Sequence, residues 1–170
     1  MNADNQQIAC FKVADGIYGL DIMGITEIIR YQKILPLPKA LDFIEGVINL
    51  REEAIPIISM RKRFGLEPIA ETKATRIIII KLGRKDVGIV VDSVDNVLNL
   101  KEGELKPPPS VTTAIEIEYL SGVIWDNDEL VMVLDMDKVL SGREKITLAE
   151  VGAGKEKPGE EKIDEEKTAL

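Results

Sequence analysis

The 170-residue chain contains no histidine. That absence removes the commonest general base near neutral pH, the commonest metal ligand and the phosphorylatable imidazole of a histidine kinase. It has one cysteine, Cys10, so no intramolecular disulfide can form, and its N-terminus lacks the basic-then-apolar order of an export signal. A cytoplasmic protein is expected. Long apolar runs are missing as well: the block Ile77, Ile78, Ile79, Ile80 stops at Lys81, far short of the roughly 18 residues a membrane span needs. A soluble chain with no direct membrane insertion follows. Positive charge is in deficit, with 22 Lys and Arg against 30 Asp and Glu, a formal charge of −8 and a pI near 4.8. No dense basic field is available to release the counterions of a phosphate backbone, so nucleic acid is not an expected ligand.

What is present is aliphatic. Hydrophobic residues make up 45% of the chain, enough to fill a sizeable core. Residues 8–13 and 17–22 read as strands joined at Asp15-Gly16, and 46–50 and 54–58 as a second hairpin across Arg51-Glu52-Glu53. Residues 76–82 and 87–91 flank Gly83-Arg84-Lys85-Asp86, and 94–100 adds a strand before the prolines at 107–109 stop the pattern. A last hairpin pairs 119–125 with 130–134 across Asp126-Asn127-Asp128-Glu129. Short helices are expected where Ile25, Ile28 and Ile29 fall at helical spacing, over 60–64 ahead of Gly65, and over 135–140, where Asp135 can cap the first turn. Nine to ten short strands with three such helices predict an all-β fold in two lobes of about five strands, since a single twisted sheet of that width tends to split or curl. From Glu150 onward the chain is mostly Glu, Lys, Gly and Pro; 149–170 is expected to be a disordered charged tail beside a domain over 1–148.

The stretch Phe43-Ile44-Glu45-Gly46-Val47-Ile48-Asn49-Leu50-Arg51, followed by Ala54-Ile55-Pro56-Ile57-Ile58, closely resembles the most distinctive motif of CheW-like domains. Three further blocks agree in order and spacing: Tyr18-Gly19-Leu20-Asp21-Ile22 with Glu27-Ile28, Val87-Gly88-Ile89-Val90-Val91-Asp92-Ser93-Val94, and Tyr119-Leu120-Ser121-Gly122-Val123. The resemblance covers residues 8–141. It departs from the family at Glu52, where members usually carry Gly, and at Ser59, where Asp or Asn is common.

The resemblance implies two SH3-like five-stranded β-barrels packed together, with no catalytic residues, no cofactor and no metal. It implies an adaptor that couples methyl-accepting chemoreceptors to the histidine kinase CheA, recruited from the cytoplasm to membrane-bound receptor arrays. Its partners would be the CheW-like regulatory domain of the kinase and the tip of the receptor's cytoplasmic coiled coil. Receptor contact is carried onto Ile25, Glu27, Asn49, Leu50, Arg51 and Val91, with an ion pair expected between Arg51 and Glu27 and an apolar groove bounded by Ile25, Asn49 and Val91. Val91 could equally face a barrel interior. Kinase contact is carried onto Ile34, Leu37 and Gly46, a modest patch of about 1.5–3 kcal/mol of gross burial per aliphatic side chain.

Other residues suit blander roles. The carboxylates Asp92, Asp95, Asp126, Asp128 and Glu129 lack the Gly and terminal Glu of a calcium loop and read as solvated turns. Trp125 and Tyr119 read as core, and Cys10 as a small buried hydrophobe. A carboxylate-based hydrolase and a nucleic-acid-binding barrel are the rival readings; metal content would test the first and filter binding at low salt the second.

Overall fold

The structure, a computed structural model, describes residues 6–38, 41–108, 117–140 and 144. The chain opens with the hairpin β1 (Gln6–Val13) and β2 (Gly16–Asp21), then runs through β3 (Ile25–Arg30), β4 (Ile44–Leu50) and β5 (Glu53–Ser59) to the short helix α1 (Met60–Arg63). It continues through β6 (Arg76–Leu82), β7 (Lys85–Val91), β8 (Ser93–Leu100), β9 (Leu120–Asp126), β10 (Glu129–Leu134) and the helix α2 (Met136–Val139). The strands form two five-stranded sheets, ordered β8-β1-β2-β10-β9 and β3-β6-β7-β5-β4. Each is mixed: β2 and β10 pair parallel in the first, β5 and β7 in the second. The chain therefore begins in one lobe, builds the whole of the other from β3 to β7, and returns. Neither ladder closes among the described residues, but the strand content of each lobe is that of the SH3-like barrels anticipated.

The four-isoleucine run on β6 shows why both faces of a strand can be apolar here. Side chains alternate across a strand, so Ile78 and Ile80 face the large cluster between the sheets while Ile77 and Ile79 face the second lobe's own core. All four are at most 2% exposed. The first lobe repeats the scheme: Phe11 and Val13 join the shared cluster, and Ile8 and Cys10 join Leu100, Ile124, Val131 and Val133 inside the lobe.

All four hairpins stand where the sequence places them. The helices at 60–64 and 135–140 also form, as α1 and α2. Ser59 caps α1 by accepting from the Lys62 N–H at 3.2 Å, and Asp135 caps α2 by accepting from the Asp137 N–H at 3.0 Å. Ser, Asp and Asn all serve as N-caps, which explains how Ser59 stands where the family commonly has Asp or Asn. The third expected helix is not there. Residues Ile25–Arg30 form the edge strand β3, with burial alternating along its length, and only a single 3₁₀ turn at Ile22–Gly24 precedes it. Ile25, Ile28 and Ile29 fit a helical spacing, but β-branched residues favour a pleated surface and the ladder to β6 settles the conformation. The expected tail at 149–170 lies outside the described residues.

Candidate functional site

Glu27 on β3 and Arg51 in the β4–β5 turn belong to the two edges of the second sheet. Curling of the sheet brings them together, and the Arg51 guanidinium donates to the Glu27 carboxylate. This pair spans the seam that no backbone ladder closes. The hydrogen bond that Arg51 donates to Glu27, then the charge of that carboxylate, pushes the Arg51 pKa up. Arg51 is exposed and Glu27 half-buried, so one face of the guanidinium stays open to solvent. Asn49 is exposed near the end of β4, whereas Leu50 beside it packs against the lobe core.

Ile25 starts β3 and is half-buried against the shared cluster. Val91 is 1% exposed and belongs to that same cluster, at the far end of β7 from the rung where Ile25, Ile80 and Val87 meet. The structure does not bring Ile25, Asn49 and Val91 to one groove; Val91 faces the interior because the alternation along β7 turns it inward. Ile25 instead lines an interlobe cleft of about 390 Å³ with Leu20, Ile80, Leu134 and Met136. Asp21, Asp135, Asp137 and Met23 also line it; the sequence marked Asp135 as a helix cap and Asp21 within a family block, but none of the four as part of a cleft.

Ile34 and Leu37 are half-buried, the first against the second lobe's core and the second against the shared cluster. Between them Leu35 is 54% exposed and bridges to Val47, exchanging hydrogen bonds at 2.8 and 2.9 Å. Gly46 is what allows this. Its φ is +144°, and a Cβ there would lie 2.0 Å from the Leu35 carbonyl oxygen. Its role is thus backbone approach, and Leu35 is the apolar side chain offered outward.

Two arginines of α1 tie the lobes. Arg61 holds Asp92, at the β7–β8 junction, through Nε at 3.0 Å and Nη2 at 2.6 Å. The Asp92 carboxylate also accepts from the Ala14 N–H at 2.8 Å. Burial pushes the Asp92 pKa up, but these hydrogen bonds and the Arg61 charge outweigh it and hold the carboxyl below its usual value. Arg63 lies 4.8 Å from the Phe43 ring centre and 5.6 Å from that of Tyr119. It donates to the Val139 carbonyl at 2.6 and 2.9 Å and to Glu144. Asp92 is thus a structural carboxylate, and among the described residues no group of three or more His, Cys, Asp or Glu is placed to hold a metal.

Tyr119 is half-buried, but Trp125 is 65% exposed, against the expectation of a core role. It shares a face of β9 with Val123, yet sits at the hairpin end of an edge strand, beyond the cover of the second lobe. Cys10 is 2% exposed, and burial, with the charges of Asp126 and Asp95, raises its thiol pKa to about 11. No helix among the described residues is long and apolar enough to cross a membrane.

Two interlocked five-stranded lobes, an ion pair across an exposed seam and an interlobe cleft define a small two-lobed β protein. The family model of the CheW-like domain matches residues 7–144. The chain is 33% identical to the chemotaxis protein CheW of Treponema pallidum, over 88% of this chain and 90% of that one. It is also 33% identical to the chemotaxis protein CheW of Klebsiella aerogenes, over 82% and 84%. The crystal structure of the scaffolding protein TtCheW from Thermoanaerobacter tengcongensis superposes with a TM-score of 0.76 at 34% identity, covering 82% of this chain and 97% of that one. The chain belongs to the CheW-like domain family.

Proposed function

We propose that this protein is a non-enzymatic chemotaxis adaptor that couples methyl-accepting chemoreceptors to the histidine kinase CheA, working in the cytoplasm and recruited to membrane-bound receptor arrays. The observation that carries the reading is the family match across 7–144 together with the Arg51–Glu27 pair held on an exposed seam by the motif turn. Receptor contact is assigned to Ile25, Glu27, Asn49 and Arg51, with Leu50 supporting the turn from beneath. Kinase contact is assigned to the segment of Ile34, Leu35 and Leu37, which Gly46 seats against β4. Residues 1–148 are taken as the adaptor domain and 149–170 as a charged tail outside it.

The test is a pull-down of the purified chain with the regulatory domain of CheA and with a receptor cytoplasmic fragment. Arg51→Ala should weaken receptor capture and leave kinase capture intact, while Leu35→Asp, at a position already exposed, should do the reverse. If the wild-type chain captures neither partner, the adaptor reading is wrong.

A further inference from the structure

We propose that the acidic segment Glu160-Glu161-Lys162-Ile163-Asp164-Glu165-Glu166 of this chain docks in a groove of the second lobe, along the loop 67–75, and there competes with the kinase for Ile34. The docking is argued from charge and shape alone. The competition rests on the assignment of Ile34 to kinase contact and deepens the adaptor reading by a form of self-regulation.

Two hollows adjoin along that loop, sharing Tyr31, Glu71 and Thr75. The first, of about 150 Å³, takes its apolar lining from Ile34, Ile69 and Val90, and Ile69 is 53% exposed. Two cations there are already matched: Arg61 holds Asp92, and Lys62 lies 3.1 Å from Glu45. The second hollow, of about 500 Å³, is lined by Arg30, Lys73 and Arg76 against the single carboxylate of Glu71 among the described residues. Arg30 and Arg76 stand directly opposite each other on the β3–β6 ladder, and like charges so placed cost stability unless an anion joins them. Arg76 donates to the Lys73 and Thr75 carbonyls at 2.8 and 2.9 Å, which are neutral acceptors. Among the described residues no carboxylate is paired with Arg30, Lys73 or Arg76, whereas Arg51, Arg61 and Arg63 each hold one.

The occupant follows from what the chain itself supplies. Ile163 is the one large apolar residue between Val151 and Leu170, and acids stand on both sides of it. An aliphatic side chain of that size suits the first hollow, and the neighbouring carboxylates suit the unmatched cations of the second. Lys162, beside Ile163, complements Glu71, which lines both hollows. The starting point is close as well. Glu144 is held by Arg63 of α1, at 3.0 Å, and the same short helix supplies Arg61 and Lys62 to the first hollow. Residues 145–159 lie between Glu144 and the acidic segment and span up to about 50 Å if extended, ample to reach the groove. Tethering keeps the segment at high effective concentration, so a weak contact suffices to occupy the groove.

The experiment places a nitroxide spin label on the full chain at Thr168→Cys and reads amide signals by NMR. Cys10 is buried with its thiol pKa raised to about 11, so the label goes to the introduced cysteine. At low salt the label should broaden the amides of residues 71–76 and spare those of β9. The effect should fade at high salt, and it should vanish with Ile163→Ser and with the double variant Arg30→Gln, Lys73→Gln. Both substituted cations are exposed, and an unchanged unfolding midpoint checks that the fold is intact. No broadening at 71–76, or broadening that survives either variant, overturns the docking. Broadening that grows with protein concentration assigns the segment to a second copy and overturns the contact within one chain. In a separate titration with the CheA regulatory domain, Ile163→Ser should bind at least about threefold tighter than wild type at low salt. Equal affinities overturn the competition and leave the docking to the label. If neither chain binds the kinase domain, the adaptor reading and the competition fall, while the label result still decides the docking.

Discussion

Glu52 is held at φ +68° beside Arg51 at +50°, so both central residues of the β4–β5 turn lie in the left-handed region. Two-residue hairpin loops favour that geometry because it matches the twist of the strands, and Gly suits the second position at no steric cost. A residue with a Cβ costs roughly 1–2 kcal/mol more there. Glu52→Gly should therefore stabilise the fold by about 0.5–1 kcal/mol, less than the full backbone penalty because Glu52 has a contact of its own to lose. A urea midpoint that fell in the variant would show that this contact outweighs the strain. The β9–β10 tip Asn127-Asp128 adopts the same conformation with residues that tolerate it, which is why the sequence marks its hairpin plainly.

Among elements, the extended segment of Ile34, Leu35 and Leu37 shows how a backbone requirement masquerades as a contact residue. Gly46 appears in the family motif beside the apolar positions, yet it has no side chain to offer. Its +144° φ and its approach to the Leu35 carbonyl make it the notch in which that segment lies. Gly46→Ala should destabilise the chain by about 2 kcal/mol or more, since both the backbone angle and the space are refused. Calorimetry on the variant checks this, and an unchanged midpoint would mean that the segment lifts away without cost. The strand β3 carries the complementary lesson. Six residues are too few for periodicity to separate a helix from an edge strand, and pairing with β6 decided between them.

The lobes meet across one large apolar cluster and are clasped at Asp92, whose N–H donates to Lys12 of the first lobe at 2.9 Å while its carboxylate holds Arg61. Because the folded-state pKa of Asp92 is depressed below 3.8, its stabilising contribution is present above that value and is lost as pH falls through the folded pKa. Asp92→Asn should cost about 1–3 kcal/mol at neutral pH. The difference from wild type should shrink once the pH drops below about 4. Unfolding midpoints measured from neutral to acid test this, and a gap that stayed constant with pH would assign the cost to packing instead of charge.

The hairpins, the helix cap at Asp135 and the family motif were legible in the sequence, because each is set by neighbours within a few residues, whereas the cap at Ser59 emerged only in the structure. The Arg51–Glu27 pair was legible only through resemblance, as its partners lie 24 residues apart on opposite sheet edges. Val91, Trp125 and the cleft beneath Met23 were decided by tertiary structure alone. Alternation tells which residues share a face of a strand, but whether that face meets the other lobe or solvent depends on where the two sheets stop covering each other.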